Sequence, residues 1–236
     1  MKINIGDEVT FGKYKWNVIV KKPNMALLLC ARPMKLTYFN KKSVSTKWET
    51  SYVRKYLNTR FLKKFSETDQ EKIVEISLSD TRNAVMDKKY EQKFRNTTDK
   101  FFLLSLDEIA QYFAGFENWR QLYDVAYEEN EIYGFTNMLT RSRRGRVSVH
   151  YDRIAQVTNS AVKFSFFKKH YQEGLAPYNL LKLSKHGWEY DWWLRTNGYN
   201  SLFASQVRKD GFVDFYGTYI GYEACVLRPA CWLVYS

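Results

Sequence analysis

Three histidines, His150, His170 and His186, are the chain's natural proton carriers and metal ligands, but their spacing matches no metal-binding motif. Three cysteines, Cys30, Cys225 and Cys231, form no close pair. They read as small apolar residues of buried strands, not as nucleophiles or a disulfide framework. No phosphate-cradling Gly-Lys-Ser/Thr loop, Gly-x-Ser-x-Gly elbow or dinucleotide glycine set occurs. Asp210 and Asp214 could share a cation, although two carboxylates beside a turn are ordinarily solvated. The sequence therefore nominates no catalytic residue, no metal ligand and no cofactor, and it points away from an enzyme.

What remains is the chemistry of contact and of charge. Residues 197–224 carry Tyr199, Phe203, Phe212, Phe215, Tyr216, Tyr219 and Tyr222, punctuated by Gly198, Gly211, Gly217 and Gly221. Rigid rings on short turns make contact area at low side-chain entropy cost. Two apolar blocks bracket the stretch, Trp192-Trp193-Leu194-Arg195 before it and Val226 to Leu233 after it. Such a clamp implies a recognition surface, built from Tyr199, Leu202, Phe203, Ser205, Arg208, Phe212, Asp214, Phe215, Tyr216, Tyr219 and Tyr222. A broad aromatic surface suits a protein ligand. The competing reading is that the rings pack on neighbouring strands. Alternation limits it: with Val207, Val213 and Leu227 inward, Phe212 and Asp214 point outward. Of the adjacent tryptophans, one fills the core and the other supports the surface loop.

The formal charge of +12 supplies a second function class. Residues 141–170 hold Arg141, Arg143, Arg144, Arg146, Arg153, Lys163, Lys168 and Lys169 against Asp152 alone. That segment, Arg141, Arg143, Arg144 and Arg146 above all, is an alternative site for nucleic acid or an anionic surface. No nucleic-acid recognition motif accompanies it. No apolar run long enough to cross a membrane and no leader sequence is present, so the default address is cytoplasmic, without membrane insertion. A phage particle or a dedicated export route needs no cleaved leader.

The elements that must position these residues follow from periodicity. Glu8 to Val20 alternates as a strand hairpin about Gly12-Lys13, and Ala26 to Ala31 is a buried strand. Trp48, Tyr52, Val53, Tyr56, Leu57, Phe61 and Phe65 recur at helical spacing. Ser66 with Asp69 opens a short helix through Ile73. Ser105 with Glu108 is a capping box for a helix through Phe113. Phe101 to Leu104 reads as a strand. Residues 114–191 read as an inserted subdomain with helical periodicity around Trp119–Tyr127 and Phe164–Tyr171. After Trp193 the chain is all β: Leu202–Val207, a turn at Lys209-Asp210-Gly211, Phe212–Tyr216, and a last strand Cys225–Tyr235. The class is α+β, a mostly antiparallel twisted sheet with one or two packed helices, in one domain of residues 1–236.

Several ordered blocks resemble a bacterial family of unknown function. They are Gly6-Asp7 with Val9 to Gly12 and Trp16, then Trp48-Glu49 with Ser51, Arg54 and Leu57-Asn58. Phe61 with Phe65-Ser66 comes next, and then Thr97 to Lys100 through Phe102 to Ser105 and Glu108. Trp192 to Arg195 and Arg228-Pro229-Ala230 with Trp232 complete the set. The resemblance covers residues 1–113 and 190–236. It implies a C-type-lectin-like fold and a tail like the variable region of proteins diversified by retroelements, whose Asn-rich template codons are rewritten between fixed anchors. Asn codons randomised at their first two letters cannot give Lys, Glu, Gln, Met or Trp. Residues 197–224 hold three of these in 28 positions, against 53 in the other 208, a depletion in the direction that idea requires. Arg195 and Arg228 are expected to be buried on carboxylates or carbonyls, with Asp99 and Glu49 the partners implied by family position. The chain departs from the pattern at Thr196-Asn197, where Ser-Pro is usual, and at Val226, where Gly is usual. The segment from Phe113 to Trp192 is longer than in the family. Calcium-dependent sugar binding in lectin-like folds needs Glu-Pro-Asn-like and Trp-Asn-Asp-like ligands, and neither occurs here. A related fold houses cysteine-dependent oxidases; Cys225 and Cys231 lie near the corresponding end of the chain, but both precede apolar strand residues, which argues against that chemistry.

Overall fold

A computed structural model describes residues 3–42, 44–79, 83, 96–133 and 161–235. Two sheets and a set of helices share one hydrophobic cluster that runs from Ile3 to Trp232.

The first sheet has strand order β1-β2-β3-β16-β5, all antiparallel. β1 (Glu8–Phe11) and β2 (Tyr14–Lys21) form the expected hairpin, and β3 (Met25–Cys30) is buried almost throughout. Gly12 turns the hairpin with φ of 57°, and a Cβ there would stand 2.8 Å from the Phe65 ring. The β3 neighbour is β16 (Ala230–Val234), so the start and end of the chain are paired. β5 (Ile73–Val74) closes the other edge.

The second sheet has order β4-β15-β12-β13-β14-β9-β8. Its members are β4 (Leu36–Thr37), β8 (Ile132–Tyr133), β9 (Ala161–Val162), β12 (Trp192–Asn197), β13 (Phe203–Val207), β14 (Val213–Tyr219) and β15 (Cys225–Val226). β12 and β15 are parallel; every other pair in this sheet is antiparallel. Two small ribbons complete the β structure: β6 (Ile76–Leu78) with β7 (Thr97–Asp99), and β10 (Ser184–Lys185) with β11 (Trp188–Glu189).

The helices follow the sequence signals with two differences. A single turn over Trp48–Thr50 ends at Ser51, whose hydroxyl then accepts the Arg54 N–H at 3.1 Å and starts α1 (Tyr52–Tyr56). The coil continues as a π turn over Leu57–Phe61 and a 3-10 turn over Leu62–Lys64. Asn58 sits in the π turn. Its carbonyl accepts the N–H groups of Lys100 and Phe101, and its amide donates to Phe101 O at 2.8 Å, which pins the helix to the 100–101 backbone. α2 (Glu67–Lys72) is capped by Ser66. α3 (Leu106–Ala114) has the reciprocal Ser105/Glu108 capping box and ends on Gly115 at φ 72°. α4 (Trp119–Glu128) packs on α3, and α5 (Phe164–Lys169) packs near Tyr178–Leu181.

Phe101–Leu104 is not a strand. It runs extended through the core with one bridge, Phe102 to Ala230. The expected single last strand is also divided. β15 belongs to the second sheet and β16 to the first, and Leu227-Arg228-Pro229 is the corner between them. Proline has no N–H to give to either ladder, so a sheet change at Pro229 is physically natural. The described parts of 114–191 add β8 and β9 to the edge of the second sheet and contribute Trp119, Leu122, Phe166 and Phe167 to the common cluster. No helix among the described residues is long and apolar enough to cross a membrane.

Candidate functional site

Both tryptophans of β12 are fully buried, so neither supports an outer loop. The sheet is covered on both faces here. Trp192 donates its indole N–H to Leu181 O at 3.0 Å, and Trp193 donates to Thr37 O at 2.9 Å. All six β12 residues are buried, which makes this strand a rigid brace; truncating either indole costs about 3–5 kcal/mol.

Arg195 is buried and binds the Leu103 carbonyl and the carboxylate of Glu108, which also closes the α3 capping box. Asp99 serves Arg54 instead, at 2.8 Å, together with the indole of Trp48 and the hydroxyl of Thr97. Arg228 meets no carboxylate among the described residues. Its guanidinium donates to the carbonyls of Cys30 and Leu180 and lies 4.8 Å over the Trp192 ring. Burial draws its pKa down to about 9, which leaves it charged at neutral pH. The expected partners Asp99 and Glu49 are thus replaced, because these arginines sit where backbone carbonyls and the α3 terminus point inward. Thr196 and Asn197, which stand where the family pattern has Ser-Pro, have structural work: Thr196 accepts the Leu106 N–H at 3.0 Å, and Asn197 donates to Thr46 O at 2.8 Å.

Between the braces lies the β13–β14 hairpin. Its register runs Phe203 to Tyr219 and Ala204 to Thr218, then Gln206 to Asp214, so β14 carries a bulge opposite Ser205. Gly217 stands in the bulge at φ 78°, where a Cβ would be 2.0 Å from Ala204 O. Gly198 is equally confined: a Cβ there would be 2.0 Å from Tyr216 O. The carbonyls of Asn197 and Phe215, displaced from the ladder, accept the side-chain amide of buried Asn83 at 3.0 and 2.6 Å. No sequence signal marks Asn83, since it lies in a polar stretch without periodicity.

Burial divides the predicted surface residues. Ser205, Asp214, Phe215 and Tyr216, all assigned to the recognition surface, are buried; of these, the alternation argument points only Asp214 outward. α4 covers Phe215, with Trp119 and Tyr123 meeting its ring at 6.1 and 5.4 Å, while Asp214 is in regular register with Gln206 and is buried on the other face. Asp214 accepts the Gly217 N–H and the Gln206 amide, and burial pushes its carboxyl pKa up. Cys225 donates to Gln206 at 2.8 Å, and burial lifts its thiol well above the ordinary range.

The other nominated residues fall at two ends of the hairpin. At the turn end, Arg208 pairs with Asp210 at 3.1 Å and lies 5.4 Å from the Phe212 ring. At the opposite end, five rings form a continuous ladder. Tyr199 stacks on Tyr216 at 5.2 Å, Phe203 meets Tyr216 at 5.1 Å and Tyr219 at 5.9 Å, and Tyr219 meets Tyr222 at 4.9 Å. Tyr216 is enclosed between its neighbours; Tyr199, Leu202, Phe203 and Tyr219 are half-buried, and Tyr222 is 64% exposed. Arg141, Arg143, Arg144 and Arg146 lie outside the described residues.

Among the described residues no group of three or more His, Cys, Asp or Glu could hold a metal ion. A cavity of about 410 Å³ opens beside Arg54 and Asp99, but the Asp99 oxygens are already held by Trp48, Thr97 and Arg54.

These features define an α+β protein of two mostly antiparallel sheets with an aromatic ladder on a bulged hairpin. The chain belongs to the family described as Domain of unknown function (DUF6273), whose model spans residues 19–235. No curated protein and no solved structure matches it.

Proposed function

We propose that this is a non-enzymatic ligand-binding protein of C-type-lectin-like fold, in which the aromatic ladder recognises a protein partner. The observation that carries the proposal is the contiguity of five rings, four of them open to solvent, on a backbone locked by Gly198, Gly217 and Asn83. Tyrosine supplies large, stiff contact area with a hydroxyl at its rim, the composition of binding hot spots. The two-sheet antiparallel body with packed helices agrees with the lectin-like arrangement that the sequence resemblance implies. Diversification by a retroelement belongs to the same proposal: substitution at Tyr199, Phe203, Tyr219 and Tyr222 would change the surface without entering the core.

A photo-reactive phenylalanine analogue at position 222, in the full chain expressed in its own cell, tests the reading. One discrete protein adduct is expected, lost on Phe203→Ala with Tyr219→Ala. The same analogue at exposed Tyr127 is the control. Identical adducts from positions 127 and 222, or an adduct that persists in the double variant, would refute recognition by the ladder.

A further inference from the structure

Lys13, Lys15, Arg32, Lys35, Lys64 and Lys185 line one open cavity of about 390 Å³, and no carboxylate lines it with them. They come from distant parts of the chain: the β1–β2 turn and the start of β2, the segment after β3, the end of the 52–64 helical coil, and β10. The fold, not a local charge run, therefore brings them together. Arg32 reaches Glu8 at 3.2 Å in an exposed pair, and the other five make no ion pair among the described residues. Converging cations repel one another, and an anion seated among them relieves that repulsion.

The cavity wall is not merely basic. Tyr14, Met34 and Tyr56 are half-buried and Pro33 is buried, giving an apolar and aromatic floor beneath the cationic rim. Lys35 Nζ lies 4.7 Å from the Tyr56 ring, which ties one cation to that floor. The volume lies in the range of small-ligand pockets, roughly 300–1,000 Å³. None of the lining residues belongs to the aromatic ladder.

We propose that this cavity binds an organic phosphate of nucleotide size, ring on Tyr14, Met34 and Tyr56, phosphates on the lysines. A half-open cavity of this size favours a small molecule over a nucleic-acid strand, which would need a groove that continues past it.

Calorimetric titration of the full chain with ATP and with tripolyphosphate, at low and at physiological salt, tests the assignment. ATP should saturate at one per chain and bind more tightly than tripolyphosphate. Lys35→Glu with Lys64→Glu should weaken ATP roughly tenfold or more, while the equal charge change Lys72→Glu with Lys168→Glu elsewhere on the surface should alter it less than about twofold. Lys13→Glu with Lys185→Glu, both exposed, repeats the test if the first pair unfolds the chain. Equal losses in the cavity and control variants, tripolyphosphate matching ATP, or no ATP binding at low salt would each overturn the proposal. Oligonucleotides whose affinity grows with length while ATP stays silent would overturn it in favour of nucleic acid.

Discussion

Arg228 offers the sharpest test of how the two sheets are joined. It stands at the corner where the chain leaves β15 for β16, fully enclosed, and its guanidinium ties Cys30 O of the first sheet to Leu180 O and to the face of Trp192. Arg228→Ala leaves the buried Cys30 carbonyl unsatisfied, about 1–3 kcal/mol, and the part-buried Leu180 carbonyl without its donor. It removes a desolvated cation–π contact worth about 2 kcal/mol. It also opens a cavity of the kind that costs about 2–5 kcal/mol for other long side chains. Against these losses, several kcal/mol of burial cost for the cation are recovered. The net expectation is a loss of about 3–5 kcal/mol, which for a chain of this length lowers Tm by roughly 10 °C. Arg228→Lys should not rescue it, because an ammonium cannot span both carbonyls and the indole face. Thermal unfolding followed by circular dichroism reads the effect. A Tm for Arg228→Ala within about 2 °C of the parent would show that the corner is held by packing alone, and the argument for a guanidinium joint would fail.

Gly217→Ala should lower stability by at least about 2 kcal/mol, from the left-handed backbone and the contact with Ala204 O; an unchanged melt would mean that the bulge is pliable. Asp214 has its pKa raised by burial, so its protonated form is the one the fold prefers. Its contribution to stability is intact below the ordinary carboxylate range and is lost as pH rises toward the folded-state value. Asp214→Asn, which mimics the protonated form, should therefore gain on the parent as pH rises above the ordinary carboxylate range of about 4 and lose the advantage in acid. A pH-independent difference between the two melts would contradict this. Cys30, Cys225 and Cys231 are buried, with thiol pKa values raised by burial, and should resist a thiol reagent until denaturant is added; rapid labelling of the native protein would contradict the buried placement.

Local signals in the sequence located most elements, because caps and periodicity are local physics. Ser66, Ser105 with Glu108, and the alternation of Glu8–Val20 each act within a few residues, and the helices and hairpin stand where they point. Long-range choices were not legible. Nothing local distinguishes Phe101–Leu104, buried but nearly unpaired, from a strand, or shows that Cys225–Tyr235 changes sheets at Arg228-Pro229. The aromatic stretch was legible in composition but not in which of its side chains are buried. Strand parity accounts for Ser205 and Phe215, which share a face with Val207 and Val213, but not for Asp214, which is buried on the other face because this hairpin is covered on both sides. Asn83 and the six cations of the basic cavity are assembled by tertiary contact from separated segments, which no motif records.

Saturation mutagenesis of residues 197–224, read out by protease resistance of the folded chain, measures most directly whether the hairpin is a fixed frame bearing free contacts. Positions 199, 203, 219 and 222 should accept nearly every residue with the fold intact, while 198, 205, 214, 215 and 217 reject most changes. Equal intolerance at Tyr219, Tyr222 and Phe215 would mean that the ladder is part of the core and recognises nothing.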